Sequence, residues 1–311
     1  MGSWGMHEES RKAIIAAFAA NVGVAVMKFV GFAVTGSASL LAEASHSVAD
    51  TANQGLLMIG GKRANRRPDA KHPFGYGRER YFWSFLVALG LFSMGGIFAI
   101  FEGVNKLRHP HEPGDLWVGL LVLTGSMGFE LYSLVTAIRQ SRPDRNDHSW
   151  WTYIRDSRTP ELPVVLLEDT GALCGLLIAM TGIALAHFTG NARWDAVGSL
   201  AIGVLLIVIA GVLAVELKSL LIGESASSEK RQAILDAITG SPSVVQLIHL
   251  RTEHIGPDEL LVGAKLQFDG SLSIEQLAGV IDEVERRVRA AVPEAGLIYI
   301  EPDISRGAAT P

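Results

Sequence analysis

Six long apolar stretches, separated by short polar segments, occupy the first 222 residues of the chain. Their approximate bounds are 12–34, 38–61, 81–105, 115–138, 162–187 and 195–221. Each is close to the roughly twenty apolar residues that a helix needs to cross the hydrocarbon core of a bilayer. The pattern therefore predicts a transmembrane domain of six helices over residues 1–222.

After residue 222 the long apolar stretches give way to shorter amphipathic patterns. "SEKRQAILDAITG" and "SIEQLAGVIDEVERRVRAAVP" have helical periodicity, whereas "VVQLIHLRTEHIG", "ELLVGAKLQFDG" and "GLIYIEPD" are typical of strands. The order α-β-β-α-β is that of a small ferredoxin-like α+β fold. Residues 223–311 are thus predicted to form a soluble domain attached directly to the sixth span.

Composition supports a membrane protein. Hydrophobic residues make up 49% of the chain and charged residues 19%, and the mean hydropathy is +0.28. Soluble domains carry about 25% charged residues. The first apolar stretch has no positively charged region ahead of a small-residue cleavage site, so we interpret it as a retained span. The single cysteine, Cys174, excludes an intrachain disulfide framework.

Positive charge is concentrated in two of the predicted loops. The loops at 62–80 and 139–160 are rich in Lys and Arg, whereas those near 106–114 and 188–194 carry few. Basic loops favour the cytoplasmic side of a membrane. Both termini and the soluble domain are then predicted to be cytoplasmic, in agreement with an even number of spans. No long acidic or basic tail indicates a nucleic-acid partner.

The second predicted span contains the segment "EASHSVAD", which is unusually polar for a membrane helix. His46 and Asp50 are four residues apart and share one helix face, and Glu43 leans toward it. Ionisable residues at membrane depth are costly and indicate function by default. Imidazole and carboxylate groups one turn apart can bind the same Zn²⁺ ion, with further ligands from another helix. Glu43 could instead cap a helix turn near the interface.

The fifth predicted span offers those further ligands in "VVLLEDTGALCG", where Glu168 and Asp169 are adjacent. Neighbouring helix positions are about 100° apart, so we expect one of the two to be the ligand and the other to support it or handle protons. The alternative is a buried, satisfied His–carboxylate pair in the second span. Asn21 and Glu102, lone polar residues in other spans, are interpreted as packing or interfacial.

Four segments together resemble the cation diffusion facilitator family of divalent metal transporters. They are "TGSASLLAEASHSVADTANQGLL", "PDAKHPFGYGRERY", "LLEDTGALCGLLIA" and "HLRTEHIGPDELLVGAKLQF", in this order along nearly the whole chain. The first and third are most similar to the branch that includes the mitochondrial zinc exporter of animals and its bacterial relatives. The resemblance implies a homodimer in a membrane, here the bacterial plasma membrane.

The resemblance also implies which residues bind metal. His46 and Asp50 match the ligand pair of the second span, and Asp169 matches the last acidic ligand of the fifth. The residue four positions earlier, often His in the family, is Val165 here. Glu168, a water molecule or another residue would complete the coordination.

Two further family sites match this chain less well. In the loop after the second span, Asp69 and His72 match two ligand positions, but the third is Tyr76. In the cytoplasmic domain, where relatives bind zinc between two copies, Ile248, Ala264 and Tyr299 stand at the His positions and only Glu301 matches. We expect the loop site to be weak or absent and the domain to dimerise without the usual metal cluster, although His249 remains a candidate ligand.

The function predicted from these residues is proton-coupled antiport of a divalent cation, with Zn²⁺ as the transported substrate and no bound cofactor. Metal binding needs neutral imidazole and ionised carboxylates, so protons and metal compete for the same groups. Mn²⁺, Fe²⁺ or Co²⁺ efflux is the alternative within transport. A metal-responsive membrane scaffold is the alternative outside it. No phosphate-binding loop or catalytic arrangement indicates an ATPase or another enzyme.

Overall fold

The computed structural model describes residues 3–35, 38–109, 116–145 and 149–305. They divide into two compact units, one formed by Met1–Asn65 with Glu79–Lys218 and the other by Arg66–Arg78 with Ser219–Pro311. The first unit is helical, and the second contains all three described strands. The domain boundary predicted at 222/223 stays a prediction, and the loop Arg66–Arg78 groups with the C-terminal residues.

The first unit is built from long helices. They are α1 (Ser3–Thr35), α2 (Ala38–Ala64), α3 (Glu79–Gly90), a π-helical segment (Leu91–Ile97), α4 (Phe98–Arg108), α5 (Leu116–Arg145), α6 (Trp150–Asp156), α7 (Glu161–Thr189) and α8 (Arg193–Ile222). Within the described residues, four helices are long and apolar enough to cross a membrane. These are Glu79–Arg108, Gly119–Arg145, Glu161–Thr189 and Arg193–Ile222. A shorter apolar helix covers Ile14–Val30, and the number of six spans stays a prediction.

Two local features of the helices differ from the sequence prediction. The third apolar stretch is interrupted by the π-helical segment, which the hydropathy pattern does not reveal. The predicted loop 139–160 contains the end of α5 and the short helix α6, whose first turn is capped by the Ser149 side chain. The Ser149 oxygen accepts a hydrogen bond from the backbone N–H of Thr152, the usual N-cap arrangement.

Glycines allow α8 to pack closely against its neighbours. A Cβ atom at Gly203 would lie 2.6 Å from Ile100 Cγ1 and 2.9 Å from the backbone oxygen of Gly96. A Cβ atom at Gly182 of α7 would lie 3.2 Å from the backbone oxygen of Trp194. Small residues permit such close backbone contacts, which drive helix association where no hydrophobic effect acts between lipid-exposed helices.

We expect Gly203→Ala to destabilise the helical unit, because the added methyl group meets backbone atoms of the π-helical segment that cannot rotate away. Overpacking of this kind costs about 1–3 kcal/mol. Gly211→Ala is the matched control in the same helix, since nothing lies within 4 Å of its Cβ position. Thermal unfolding in detergent should show a lower midpoint for Gly203→Ala alone. Equal midpoints for the two variants would contradict the packing described.

The second unit contains the element order predicted from the sequence. Its elements are α9 (Ser228–Thr239), β1 (Val244–Gly256), β2 (Glu259–Phe268), α10 (Ile274–Ala291) and β3 (Leu297–Pro302). β1 and β2 form an antiparallel hairpin, and α10 connects β2 to the parallel strand β3. The start of α10 is fixed by a capping box between Ser273 and Gln276.

One face of this sheet carries the core of the second unit. Alternate residues of β2 are buried against side chains of α9 and α10 such as Ile234 and Val284. The buried β2 residues are Leu260, Val262, Ala264 and Leu266. Because successive strand residues point to opposite faces, Gly263 and Lys265 lie on the face away from this core. We call it the open face of the sheet.

Candidate metal site

Glu168 joins α7 to α2 through hydrogen bonds to both of its carboxylate oxygens. Gln54 Nε2 donates to Glu168 Oε2 at 2.6 Å, and Asn53 Nδ2 donates to Oε1 at 3.4 Å. All three side chains are buried, and Gln54 is completely inaccessible to solvent. Asn53 itself packs against α3, where a Cβ atom at Gly90 would come within 2.9 Å of its Oδ1. Asn53 and Gln54 of α2 therefore hold the Glu168 side chain in place.

Asp169, the next residue, faces a different helix. Its side chain is 2% exposed and lies beside Ser133 of α5. The Oδ2 atom is buried and accepts no hydrogen bond from any described residue. Buried carboxylate oxygens almost always have a partner. A buried carboxylate oxygen that no described donor engages is suited to bind a cation.

The expectation that one of the two acidic residues of the fifth span is the metal ligand and the other supports it or handles protons stays a prediction. Both residues are buried. The reason is that α7 has protein on two sides at this level. Glu168 reaches α2 and Asp169 reaches α5, so the angle of about 100° between them separates their partners without exposing either.

α5 adds a carboxylate that the sequence analysis missed. Ser126, Glu130 and Ser133 are four and three residues apart, all buried, and they form a polar stripe along one face of this helix. Glu130 lies near enough to Asp169 and to Asp50 for their charges to interact. The signal was available, because Glu130 is an ionisable residue within a predicted span and its two serines follow helical spacing.

Among the described residues, the same region also contains a buried cation. Lys28 of α1 is 6% exposed and interacts electrostatically with Glu130. Four acidic side chains interact with one another here, namely Asp50, Glu130, Glu168 and Asp169. Burying several like charges together is strongly unfavourable unless cations or protons neutralise them. A divalent cation and protons are therefore alternative ways to stabilise this cluster.

The remaining predicted ligands of the second span are only partly accounted for. Asp50 is half-buried and belongs to the acidic cluster. The side chains of Glu43 and His46 lie outside the described residues. In the part of the chain that is described, no three His, Cys, Asp or Glu side chains are arranged to hold a metal ion. The assignment of His46, Asp50, Glu168 and Asp169 to a metal site stays a prediction.

The predicted loop ligands Asp69 and His72 are brought together with Tyr76. Asp69 Oδ1 accepts hydrogen bonds from the backbone N–H groups of Lys71 and His72, and Oδ2 accepts one from the Tyr76 hydroxyl at 2.6 Å. The Tyr76 hydrogen bond is the main reason that the pKa of Asp69 falls to about 2. Both oxygens of Asp69 thus already stabilise the turn.

The donor set of the cytoplasmic domain does not fit the zinc cluster that the resemblance implies. Ala264 is buried in the core and provides no ligand atom. Ile248 provides none either, and Tyr299 lies exposed on β3. Glu301, the one matching acidic residue, forms an ion pair with Lys265 at 2.9 Å. His254 of β1 is 1% exposed, so its side chain is buried inside the second unit.

Comparisons with known proteins agree with this architecture. A family model described as the cation efflux transmembrane domain matches residues 14–222. A second, described as the cytoplasmic domain of cation efflux proteins, matches residues 226–303. Together the two models cover most of the chain and both compact units.

Curated relatives include zinc antiporters. The chain is 34% identical over 261 residues to the mitochondrial proton-coupled zinc antiporter SLC30A9 of Mus musculus, covering 83% of this chain and 46% of that protein. It is 32% identical over 270 residues to metal tolerance protein C4 of Arabidopsis thaliana, covering 86% of this chain and 59% of the relative.

A bacterial relative is matched along nearly its whole length. The magnetosome protein MamB of Magnetospirillum gryphiswaldense is 24% identical over 288 residues, covering 90% of this chain and 89% of that protein. By contrast, the chain spans about half the length of the zinc antiporters it matches. Because the family models match both parts of the chain, this protein belongs to the cation efflux family, the cation diffusion facilitators.

Proposed function

We propose that this protein exports Zn²⁺ from the cytoplasm in exchange for protons. The observation that carries the proposal is the convergence of acidic side chains from α2, α5 and α7 in the interior of the helical unit. A buried acidic cluster in a membrane domain needs a positively charged occupant. The similarity to proton-coupled zinc antiporters supports zinc as that occupant.

Within this proposal, Asp50 and Asp169 are direct ligands and His46 is the third. Asp169 qualifies because its buried Oδ2 is not engaged by any described hydrogen-bond donor. Glu168 supports the site instead, because its two oxygens are held by Gln54 and Asn53. Zn²⁺ prefers four ligands from nitrogen, sulfur and oxygen donors. Glu130 or a water molecule would replace the ligand that is missing at Val165.

Lys28 provides a positive charge next to Glu130 when no metal is bound. Entry of a divalent cation adds two positive charges to the same cluster, so fewer of its carboxylates have to be protonated. Zinc binding therefore releases protons, and protons that enter from the acidic side favour release of zinc. In this scheme the ligands themselves couple the two fluxes, and no further proton pathway is required.

We also propose a topology and an assembly for the protein. The two basic loops favour six spans with both termini in the cytoplasm. The match to the family's cytoplasmic domain supports a homodimer formed through the second unit. The bacterial relative supports the plasma membrane of a bacterium as the location.

Zinc transport into proteoliposomes under an imposed pH gradient tests the proposed function. Uptake should follow the gradient, reverse when the gradient is reversed, and collapse when a protonophore is added. Mn²⁺ and Fe²⁺, added as competitors, should reduce zinc uptake less than unlabelled Zn²⁺ does.

Two other outcomes have definite meanings. Preferential transport of Mn²⁺, Fe²⁺ or Co²⁺ would keep the antiport mechanism and replace the substrate. No gradient-driven flux of any of these metals, from protein shown to be folded and inserted in both orientations, would contradict transport. The metal-responsive scaffold would then be the better explanation.

A further inference from the structure

Three strands contribute one polar row to the open face of the cytoplasmic sheet. His249 of β1 is the cross-strand neighbour of Lys265, and Lys265 is the neighbour of Glu301 on β3. The adjacent β2 residues Ala264 and Leu266 are buried on the opposite face. Lys265 is therefore the central member of the row His249–Lys265–Glu301.

The ammonium group of Lys265 bridges two carboxylates. Its Nζ atom lies 2.9 Å from Glu301 Oε1 and 3.0 Å from Asp303 Oδ2. The Lys265 side chain is 24% exposed, although lysines are usually among the most exposed residues. The hydrogen bond to Glu301, and to a smaller extent the one to Asp303, raises the pKa of Lys265 above its ordinary value. The group therefore remains a cation throughout the physiological pH range.

The groups around this ammonium are the kind that bind zinc. Imidazole nitrogen and carboxylate oxygen are both common zinc ligands, and three such side chains with water complete a tetrahedral site. Glu301 and Asp303 place two carboxylates on the Lys265 ammonium, and His249 stands at the cross-strand position beside Lys265. The Lys265 ammonium is a positive charge of the chain itself, and it has no lone pair with which to bind a metal.

We propose that Lys265 is a built-in cation that replaces a bound metal in the cytoplasmic domain, so that this domain folds and functions without binding zinc. The donor set of the described residues supports the proposal, since Ala264 is in the core and Glu301 is already paired. Zinc in the cytoplasm would then not regulate the transporter through this domain. The proposal concerns the second unit alone and holds whichever metal crosses the membrane.

The experiment measures zinc bound per chain by equilibrium dialysis, using the full-length protein in detergent. Asp50→Ala and Asp169→Ala are combined as a background, so that the proposed membrane site does not contribute. This background should bind no zinc at micromolar concentrations. Its unfolding midpoint should be the same in EDTA and in zinc.

Lys265→His, added to the background, is expected to create one zinc site per chain, because the new imidazole replaces the ammonium that contacts Glu301 and Asp303 and stands across the strand pair from His249. Co²⁺ should give the visible absorption bands of a tetrahedral site. Lys230→His is the matched control, because Lys230 is paired at 2.9 Å with the single carboxylate of Glu294. It should bind no zinc. Adding Glu301→Gln to Lys265→His should remove most of the new binding.

Two results would overturn the proposal. One is a background protein that already binds one zinc per chain and loses it on His249→Ala or Glu301→Gln. The other is a folded Lys265→His protein that binds no more zinc than the Lys230→His control. If Lys265→His does not fold, the background measurement still decides, because zinc must leave its unfolding midpoint unchanged.

Discussion

Asp169→Asn is expected to lower the initial rate of gradient-driven zinc uptake by at least about 100-fold. Even groups that only orient a metal ligand are worth about 10–100-fold in affinity, and loss of an anionic ligand costs more. The substitution keeps the size of the side chain but removes its negative charge. Asp169 is the acidic residue of the fifth span with a buried oxygen that no described donor engages. Uptake into proteoliposomes and zinc binding by calorimetry both measure the effect.

Asp195→Asn is the matched control for this prediction. It makes the same chemical change at the start of α8, where Asp195 is paired with Lys106 at 3.0 Å and is about one third exposed. Zinc uptake by this variant should stay within about 2-fold of the unchanged protein, because exposed ion pairs contribute about 0–1 kcal/mol. Normal zinc uptake by Asp169→Asn would remove Asp169 from the site.

Glu168→Gln separates support of the site from direct coordination. The amide of glutamine cannot accept hydrogen bonds through both of its terminal atoms, so one contact to Asn53 or Gln54 is lost. We therefore expect a lower unfolding temperature together with a smaller loss of zinc affinity than Asp169→Asn causes. The opposite order of the two affinity losses would make Glu168 the ligand.

The helical, membrane-type character of the first unit could be predicted from the hydropathy pattern, because long apolar stretches have few alternatives in a membrane, whereas the number of six spans stays a prediction. The alternation of the C-terminal strands likewise predicted β1, β2 and β3. The π-helical segment could not be predicted in this way, since it differs from an α-helix in its hydrogen-bond spacing and not in its apolar composition. The close packing of its glycines against α8 becomes visible only in the three-dimensional structure.

Acidic residues in the interior of the helical unit could be predicted where they stand out against an apolar background, as at Asp50, Glu168 and Asp169, and their role as metal ligands stays a prediction. Sequence alone did not show how the two adjacent acids divide between α2 and α5, because that division depends on which helices lie beside α7. Glu130 was missed because it has no acidic neighbour in sequence, although the serines one turn away on each side mark its face. The role of Lys265 could not be predicted from the sequence either, because it depends on neighbours from two other strands.

Glu161→Gln is expected to lower the free energy of unfolding of the helical unit by about 3–5 kcal/mol, because it removes the carboxylate that pairs with the buried guanidinium of Arg80. Arg80 lies in the first turn of α3 and Glu161 begins α7, and the two side chains are 4% and 2% exposed. They form a two-point ion pair, in which Nη2 donates to Oε2 at 2.9 Å and Nε donates to Oε1. Denaturant unfolding in mixed micelles measures the change.

Two comparisons show whether this loss comes from burial. Asp156→Asn breaks the pair between Arg155 and Asp156, whose side chains are more than half exposed, and should cost no more than about 1 kcal/mol. Combining Arg80→Met with Glu161→Leu should recover much of the stability, because both charges of the ion pair are replaced by apolar side chains. Glu161 precedes Glu168 by seven residues, about two turns of α7, so the pair also helps to fix the position of Glu168 and Asp169. If Glu161→Gln were as stable as Asp156→Asn, the ion pair would not hold α7 against α3, and another contact would have to position the acidic cluster.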